Sequence, residues 1–263
     1  MKKILFVTMM VLFVFSVVGC QGSDAPSTWE DIEERGYLVV GLDDTFAPMG
    51  FRDEDSELVG FDVDLAKAVG EELDIEIRFQ PIDWNSKVLE LNSGAIDVIW
   101  NGLTITDSRL EEMTFSDPYL ANRQVVIVRD SDSITSLSDL ADLSVGVQID
   151  SAAQEAVEAS EFVSSFSELL TYDTYDQALL ELSSESVDAV VIDEIMGRYM
   201  IAQSDEDMRV LDDDFGDEEY GIGFRLEATD LRDKIDATLD ILVEEGVVTE
   251  ISEKWFGEDI FLR

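Results

Sequence analysis

The sequence predicts an α/β fold built on parallel sheets covered by helices on both faces. Three observations carry this. Short apolar runs of strand character alternate with segments of helical apolar spacing, the alternation continues without a linker or repeat, and about 228 residues follow the N-terminal segment. That length suits one large domain or two small ones.

The elements follow in order. Tyr37–Leu42 reads as the first strand, and Phe61, Leu65, Ala68, Val69 and Leu73 mark one face of a helix. Residues 75–79 form the next strand and residues 84–91 the next helix. Residues 96–100 are apolar and bounded by Gly94 and by Asn101-Gly102, so they read as a short core strand ending at those two residues. Further strands fall at 124–128, 144–148 and 187–192, interleaved with helices that begin near Ser136, Ser151 and Asp193. Residues 229–256 read as helical in two pieces.

Lys2 and Lys3 precede a mostly apolar run over residues 4–18, which gives way to Gly19, Cys20 and a polar stretch. The run is shorter than the roughly 20 residues needed to span a bilayer, so it reads as a secretory signal. Val17-Val18-Gly19-Cys20 resembles the lipobox of bacterial lipoproteins, in which the cysteine becomes the lipidated first residue. That resemblance implies a signal peptide over 1–19, a lipidated tether over 20–35, and an extracytoplasmic protein held to the bacterial membrane through Cys20. The competing reading is a chance cysteine beside an ordinary cleavage site.

Cys20 is the only cysteine and histidine is absent. Disulfides, a Cys nucleophile, Ser-His-Asp catalysis and the usual zinc sites are thereby excluded, and no metal or cofactor is expected. The formal net charge is -43. Such a chain does not seek nucleic acid or anionic headgroups, and its self-repulsion is relieved by salt, which suits a saline exterior.

The most informative block spans residues 94–119, where a buried strand leads into a polar loop and then a helix start bearing Arg109. Ligands of open α/β sheets sit at such strand ends. Thr104 offers a hydroxyl and loop backbone groups, and Arg109 offers a planar fork of donors matching a carboxylate at two points. A lysine does not match it in this way. The alternative is an ordinary surface arginine on the first turn of a helix.

Four separated segments then match one family together. GLDDTFAPMGF at 41–51, LVGFDVDLAKAVGEEL at 58–73, the block at 94–119 and VDAVVIDE at 187–194 resemble the amino-acid-binding proteins of bacterial ABC importers, periplasmic binding proteins of type II, family 3. EKWFG at 253–257 is similar as well. The resemblance implies two α/β lobes joined by two crossover strands and closing on one ligand. Lobe one would comprise residues 36–121 and 218–263, lobe two residues 122–217, with crossovers near 120–124 and 215–220.

It also implies residue roles. Arg109 would pair with the ligand α-carboxylate, helped by backbone donors near Thr104 and by Ser151 and Ala152 at a helix start, a reasonable place for an anion. Asp193, the Thr104 hydroxyl and the Gly102 carbonyl would receive the α-ammonium. A carboxylate closing a buried strand is costly without a partner, so a cationic guest accounts for Asp193; a helix N-cap is the alternative. Phe46 and Trp84 match positions that sandwich the ligand side chain, against a reading of plain core packing. Asp43 and Asn101 match positions at the far end of the ligand, although Asp43 also suits a turn after a strand. Asp150-Ser151-Ala152 stands where the family often has Gly-Thr-Thr or Gly-Ser-Ser.

The implied function is a monomeric, non-catalytic receptor that captures a polar L-amino acid, basic or glutamine in preference to an acidic one, and delivers it to a membrane permease. A cyclohexadienyl-dehydratase-like enzyme on the same scaffold is the alternative from another class. Asp43 would repel the second carboxylate of such a substrate. A sensory receptor domain is a further alternative, disfavoured here because the sequence stops at Arg263 without a membrane span.

Overall fold

The computed structural model describes residues 28–204 and 206–263. The signal segment and Cys20 lie outside the described residues. Two five-stranded sheets organise the fold as two α/β lobes. The first runs Glu76–Pro81, Tyr37–Leu42, Val98–Ile99, Gly223–Arg225, Met113–Phe115, and the second runs Glu168–Tyr172, Ser144–Gln148, Ala189–Asp193, Leu120–Arg129, Met208–Tyr220. A third, small sheet of Thr45–Phe46, Gly50–Arg52 and Leu58–Val59 sits on the first lobe.

Neither large sheet is wholly parallel, contrary to the expectation. Three neighbouring strands of each pair parallel, and the departures come from the chain passing between lobes. Leu120–Arg129 carries it out of the first lobe and Met208–Tyr220 carries it back, so the two pair antiparallel from Met208 opposite Arg129 to Tyr220 opposite Leu120. The returning chain then enters the first sheet as Gly223–Arg225, antiparallel to both of its neighbours.

Several elements differ from the sequence expectation at their ends. Residues 28–35, expected in the tether, form the helix Trp29–Arg35, opened by a capping box of Thr28 and Asp31, closed by Gly36 at φ 75 and anchored by fully buried Ile32. The strand expected over 96–100 pairs only at Val98–Ile99. Trp84–Ser86 is a 3₁₀ turn leading into the helix Lys87–Ser93, and the helix expected near Ser136 is a single 3₁₀ turn, Leu137–Leu140. At the C-terminus the two expected pieces are Thr229–Glu244 and Val247–Phe256, separated by Gly246 at φ 79.

The core explains the mutual placement of these parts. Phe61, Leu65, Ala66 and Val69, on one face of the helix Phe61–Glu72, pack with Leu38 and Val40 of the first sheet. Val125–Val128, Val145, Val147 and Val190–Ile192 are solvent-free in the second. Each such side chain adds about 1.5–3 kcal/mol by burial, against the entropy of ordering it. No helix among the described residues is long and apolar enough to cross a membrane.

Candidate functional site

The carboxyl ends of the strands meet between the lobes. Tyr37–Leu42 delivers Asp43, Val98–Ile99 delivers Asn101 and Gly102, Ser144–Gln148 ends in Gln148, and Ala189–Asp193 ends in Asp193. A narrow cavity of about 10 Å³ lies here, lined by Phe46, Trp84, Gly102, Thr104, Arg109, Gln148, Ser151, Ala152 and Asp193. Eight of the ten side chains singled out in the sequence are among these. Two larger grooves, of about 810 and 740 Å³, open at the surface on other parts of the lobe boundary. Neither contains both Arg109 and Asp193, so charge complementarity to a zwitterion favours the smaller cavity.

One end of the cavity is cationic. Arg109 lies on the short helix Asp107–Leu110, where its backbone N–H donates to the Thr106 hydroxyl at 3.3 Å, and it is only 6% exposed, which sets aside the surface-arginine reading. Its guanidinium donates to the Thr104 carbonyl at 2.9 Å and to the Asp150 carbonyl at 3.2 Å, one acceptor from each lobe. Two of five donors are thereby spent on aiming the group, and three remain for a guest. Burial lowers the Arg109 pKa from its ordinary value. Lys87 stands beside it, buried, with Nζ donating to the carbonyls of Trp84 and Asp150 at 3.3 and 2.9 Å and paired with the Asp150 carboxylate. Burial, and then the Arg109 charge, pull Lys87 down to about 8. Ser151 caps the helix Ala152–Ala159, accepting from the Gln154 N–H and donating to the Gln148 carbonyl at 2.7 Å.

The other end is anionic. Asp193 precedes the helix Glu194–Gln203 but its side chain makes no capping bond, so the N-cap alternative does not account for it. Its Oδ1 accepts from Asn122 Nδ2 at 2.8 Å, Gln124 Nε2 at 3.1 Å and the Tyr220 hydroxyl at 2.7 Å. Thr104, expected to offer its hydroxyl to a guest, gives that proton to Glu218 Oε1 at 2.8 Å and keeps only its oxygen lone pairs for an incoming donor. Glu218 escaped the sequence reading because it sits in an acidic run from Asp212 to Glu219 that resembles a solvated face.

Gly102 stands between the two ends at φ +55, where a Cβ would lie 2.8 Å from the Phe46 ring. A side chain is therefore excluded twice over, by the left-handed backbone and by the wall. The Gly102 N–H donates to Asp62 Oδ2 at 2.7 Å, which also accepts from the Tyr119 hydroxyl at 3.0 Å. Trp84 is 8% exposed, and Phe46 leans on Tyr175 of the second lobe at 6.1 Å between ring centres.

Asp43 and Asn101 do not line the cavity. Asp43 Oδ1 is held by the backbone and hydroxyl of Thr45 at 2.9 and 2.7 Å, and Asn101 Oδ1 accepts from the Asp43 backbone N–H at 3.0 Å. Gln148 takes their place, because its Nε2 donates to Asp43 Oδ2 at 2.8 Å and to the Asp173 carbonyl at 3.1 Å. With both N–H bonds spent, Gln148 offers a guest its carbonyl oxygen. An amide at the carboxyl end of a strand was the available signal in the sequence.

Residues 38–258 match the family model described as bacterial extracellular solute-binding proteins, family 3. The chain is similar to the L-cystine-binding protein TcyJ of Escherichia coli strain K12, 28% identical over 87% of this chain and 86% of that protein. It is similar to the arginine-binding extracellular protein ArtP of Bacillus subtilis strain 168, 28% identical over 97% and 98% of the two chains. Among solved structures it resembles an ABC uptake transporter substrate-binding protein from Streptococcus pneumoniae with bound histidine, at a TM-score of 0.87 and 35% identity over 89% of this chain and 98% of that one.

Proposed function

The chain belongs to the bacterial extracellular solute-binding proteins of family 3, and on that premise we propose that it is the capture component of an ABC importer, binding a polar L-amino acid outside the cytoplasm for delivery to a permease. One observation carries the reading: a cavity between the lobes has Arg109 at one end, Asp193 at the other, and the Phe46 and Trp84 rings among its walls. A zwitterion neutralises both ends at once, which a diacid of the dehydratase kind does not. The names of the relatives, which are binders of cystine, arginine and histidine, support binding over catalysis.

In this reading Arg109 grips the α-carboxylate with its free donors, aided by backbone near Thr104, Ser151 and Ala152, and Asp193 with the Gly102 carbonyl receives the α-ammonium. The side chain lies between Phe46 and Trp84 and ends at Gln148, behind which stands Asp43. A carbonyl backed by a carboxylate accepts a guanidinium, ammonium or amide and rejects a second carboxylate. Basic ligands and glutamine are therefore favoured, and glutamate and aspartate excluded. The lobes, residues 36–121 with 218–263 and residues 122–217, hinge on the two crossover strands, and the monomer is tethered to the membrane through lipidated Cys20.

Thermal shift with each of the twenty amino acids tests this, since a ligand at 100 times its Kd adds about 2.7 kcal/mol of stability. Arginine, lysine, histidine or glutamine raises the melting temperature and glutamate leaves it unchanged. Arg109→Lys then costs roughly 2–5 kcal/mol of binding in calorimetry, because a point charge replaces a fork on a desolvated carboxylate. No response to any amino acid, or a Kd for the variant within threefold of wild type, sinks the assignment.

A further inference from the structure

An amino acid brings one α-ammonium, yet Asp193, the carboxylate that lines the anionic end of the cavity, shares its donors with a second carboxylate, Glu218, which stands behind the lining residues Asp193 and Thr104. Asn122 Nδ2 donates to Asp193 Oδ1 at 2.8 Å and to Glu218 Oε1 at 2.6 Å, and Gln124 Nε2 donates to the same two oxygens at 3.1 and 2.7 Å. Each amide thus spends both hydrogens tying the carboxylates to one another. The register enforces this, since Glu218 stands directly opposite Asn122 across the crossover pair and Asp193 opposite Gln124. The charged and titratable groups facing Glu218 are Asp193, Arg109 on the helix Asp107–Leu110, Tyr175 at the start of the helix Tyr175–Ser183, and Tyr220 on its own strand. Arg109 is bonded to two backbone carbonyls instead, and among the described residues no lysine or arginine forms an ion pair with either carboxylate.

Two buried carboxylates drawn together without a cation paired to either do not both stay ionised. We propose that Asp193 and Glu218 form a single ammonium subsite that holds one shared proton until an amino acid enters, and that the ligand α-ammonium takes the place of that proton. The inference rests on the amino-acid reading of the cavity and adds Glu218 to it as the residue that shares the proton of Asp193 from behind the cavity wall. Burial first, and then the Asp193 charge, push Glu218 up to about 7, and burial raises Asp193 as well, in the direction the shared proton requires. The pair titrates as a unit. On binding, the O–H bond breaks, the proton passes to solvent, and both carboxylates are left ionised, Asp193 against the ammonium and Glu218 behind it. Affinity therefore rises with pH up to about 7, by at most tenfold per unit for one proton released, and levels above it.

Calorimetry of the full chain with L-arginine and with L-glutamine, whose side chains do not titrate between pH 5.5 and 8, tests this. Titrations at pH 6 in buffers of different ionisation heat count the protons. Wild type is expected to release most of one proton and to tighten about five- to tenfold between pH 6 and 7. Glu218→Gln keeps the shape and donors of the site, releases no proton, and binds with a flat pH profile. Wild type that binds with no proton release and a level Kd overturns the shared proton, whatever the variant does. A Glu218→Gln protein that keeps the wild-type profile overturns the role of Glu218. If none of the twenty amino acids binds at any pH, the amino-acid reading itself fails and takes this inference with it; if only lysine or histidine binds, the same titrations are read with lysine, whose side chain also keeps its charge over this range.

Discussion

Asp62 is fully buried on the helix Phe61–Glu72, and although the Gly102 N–H and Tyr119 hydroxyl favour its charged form, burial outweighs them and lifts its pKa from 3.8 to about 7. An acid whose folded pKa lies above its unfolded one contributes stability that is fully present below the unfolded value and lost as pH rises through the folded one. Between pH 4 and 7 that loss is on the order of 4 kcal/mol at most. Asp62→Asn keeps an acceptor for the Gly102 N–H and removes the titration, so its melting temperature should fall by several degrees less than that of wild type from pH 5 to 8. Parallel melting curves overturn this account. At this scale the sequence was legible where a residue type is rare in its setting: Arg109 at a helix start and Asp193 at the end of an apolar strand stand out. It was illegible where the type is ordinary. Glu218 hides among acidic neighbours, Gln148 reads as one more strand residue, and the separation of Asp43 and Asn101 from the cavity depends on which atoms Thr45 and Gln148 reach.

Among the elements, the helix Lys87–Ser93 has a role that its apolar spacing did not announce. Lys87 opens it, buries its stem near the Trp84 ring, and reaches Asp150 across the lobe boundary. Asp150 adopts φ +57 there and its carboxylate is more than half exposed, so the bond is discounted for solvent, to about 1–2 kcal/mol. Lys87→Met keeps the packed stem and removes the cation. The predicted outcome is a ligand off-rate faster by roughly tenfold with little change in association, since the bond exists only when the lobes are together. Stopped-flow fluorescence of the tryptophans measures it, and an unchanged off-rate removes Lys87 from the closure. Helices and strands of ordinary length were readable from periodicity, as Tyr37–Leu42 and Ser144–Gln148 attest. The antiparallel strands were not, because strand direction is set by the chain crossing between lobes, which leaves no trace in local apolar spacing.

For the whole molecule, the two-lobe plan came from the resemblance of four separated segments, since alternation of strands and helices fits one sheet as well as two. Closure is then a balance. Lys87–Asp150, Gln148–Asp43 and the Thr106 and Ser108 hydroxyls on Glu155 hold the lobes together. Against them stands the repulsion of two strongly acidic lobes in a chain of net charge -43. Most of that repulsion acts between exposed groups, which a Debye length of about 10 Å at 0.1 M salt leaves partly unscreened and one of about 3 Å at 1 M removes. The Gln148–Asp43 bond is buried and the Lys87 end of Lys87–Asp150 is too, so salt weakens these two less. Raising salt should therefore shift the free protein toward the closed form, the direction in which an amino acid touching both lobes also shifts it. Small-angle scattering should show the radius of gyration of the free protein falling from about 0.05 M to 1 M sodium chloride, while protein saturated with its amino acid is compact throughout. A radius that is constant or grows with salt in the free protein means that the ion pairs, and not the net charge, govern closure.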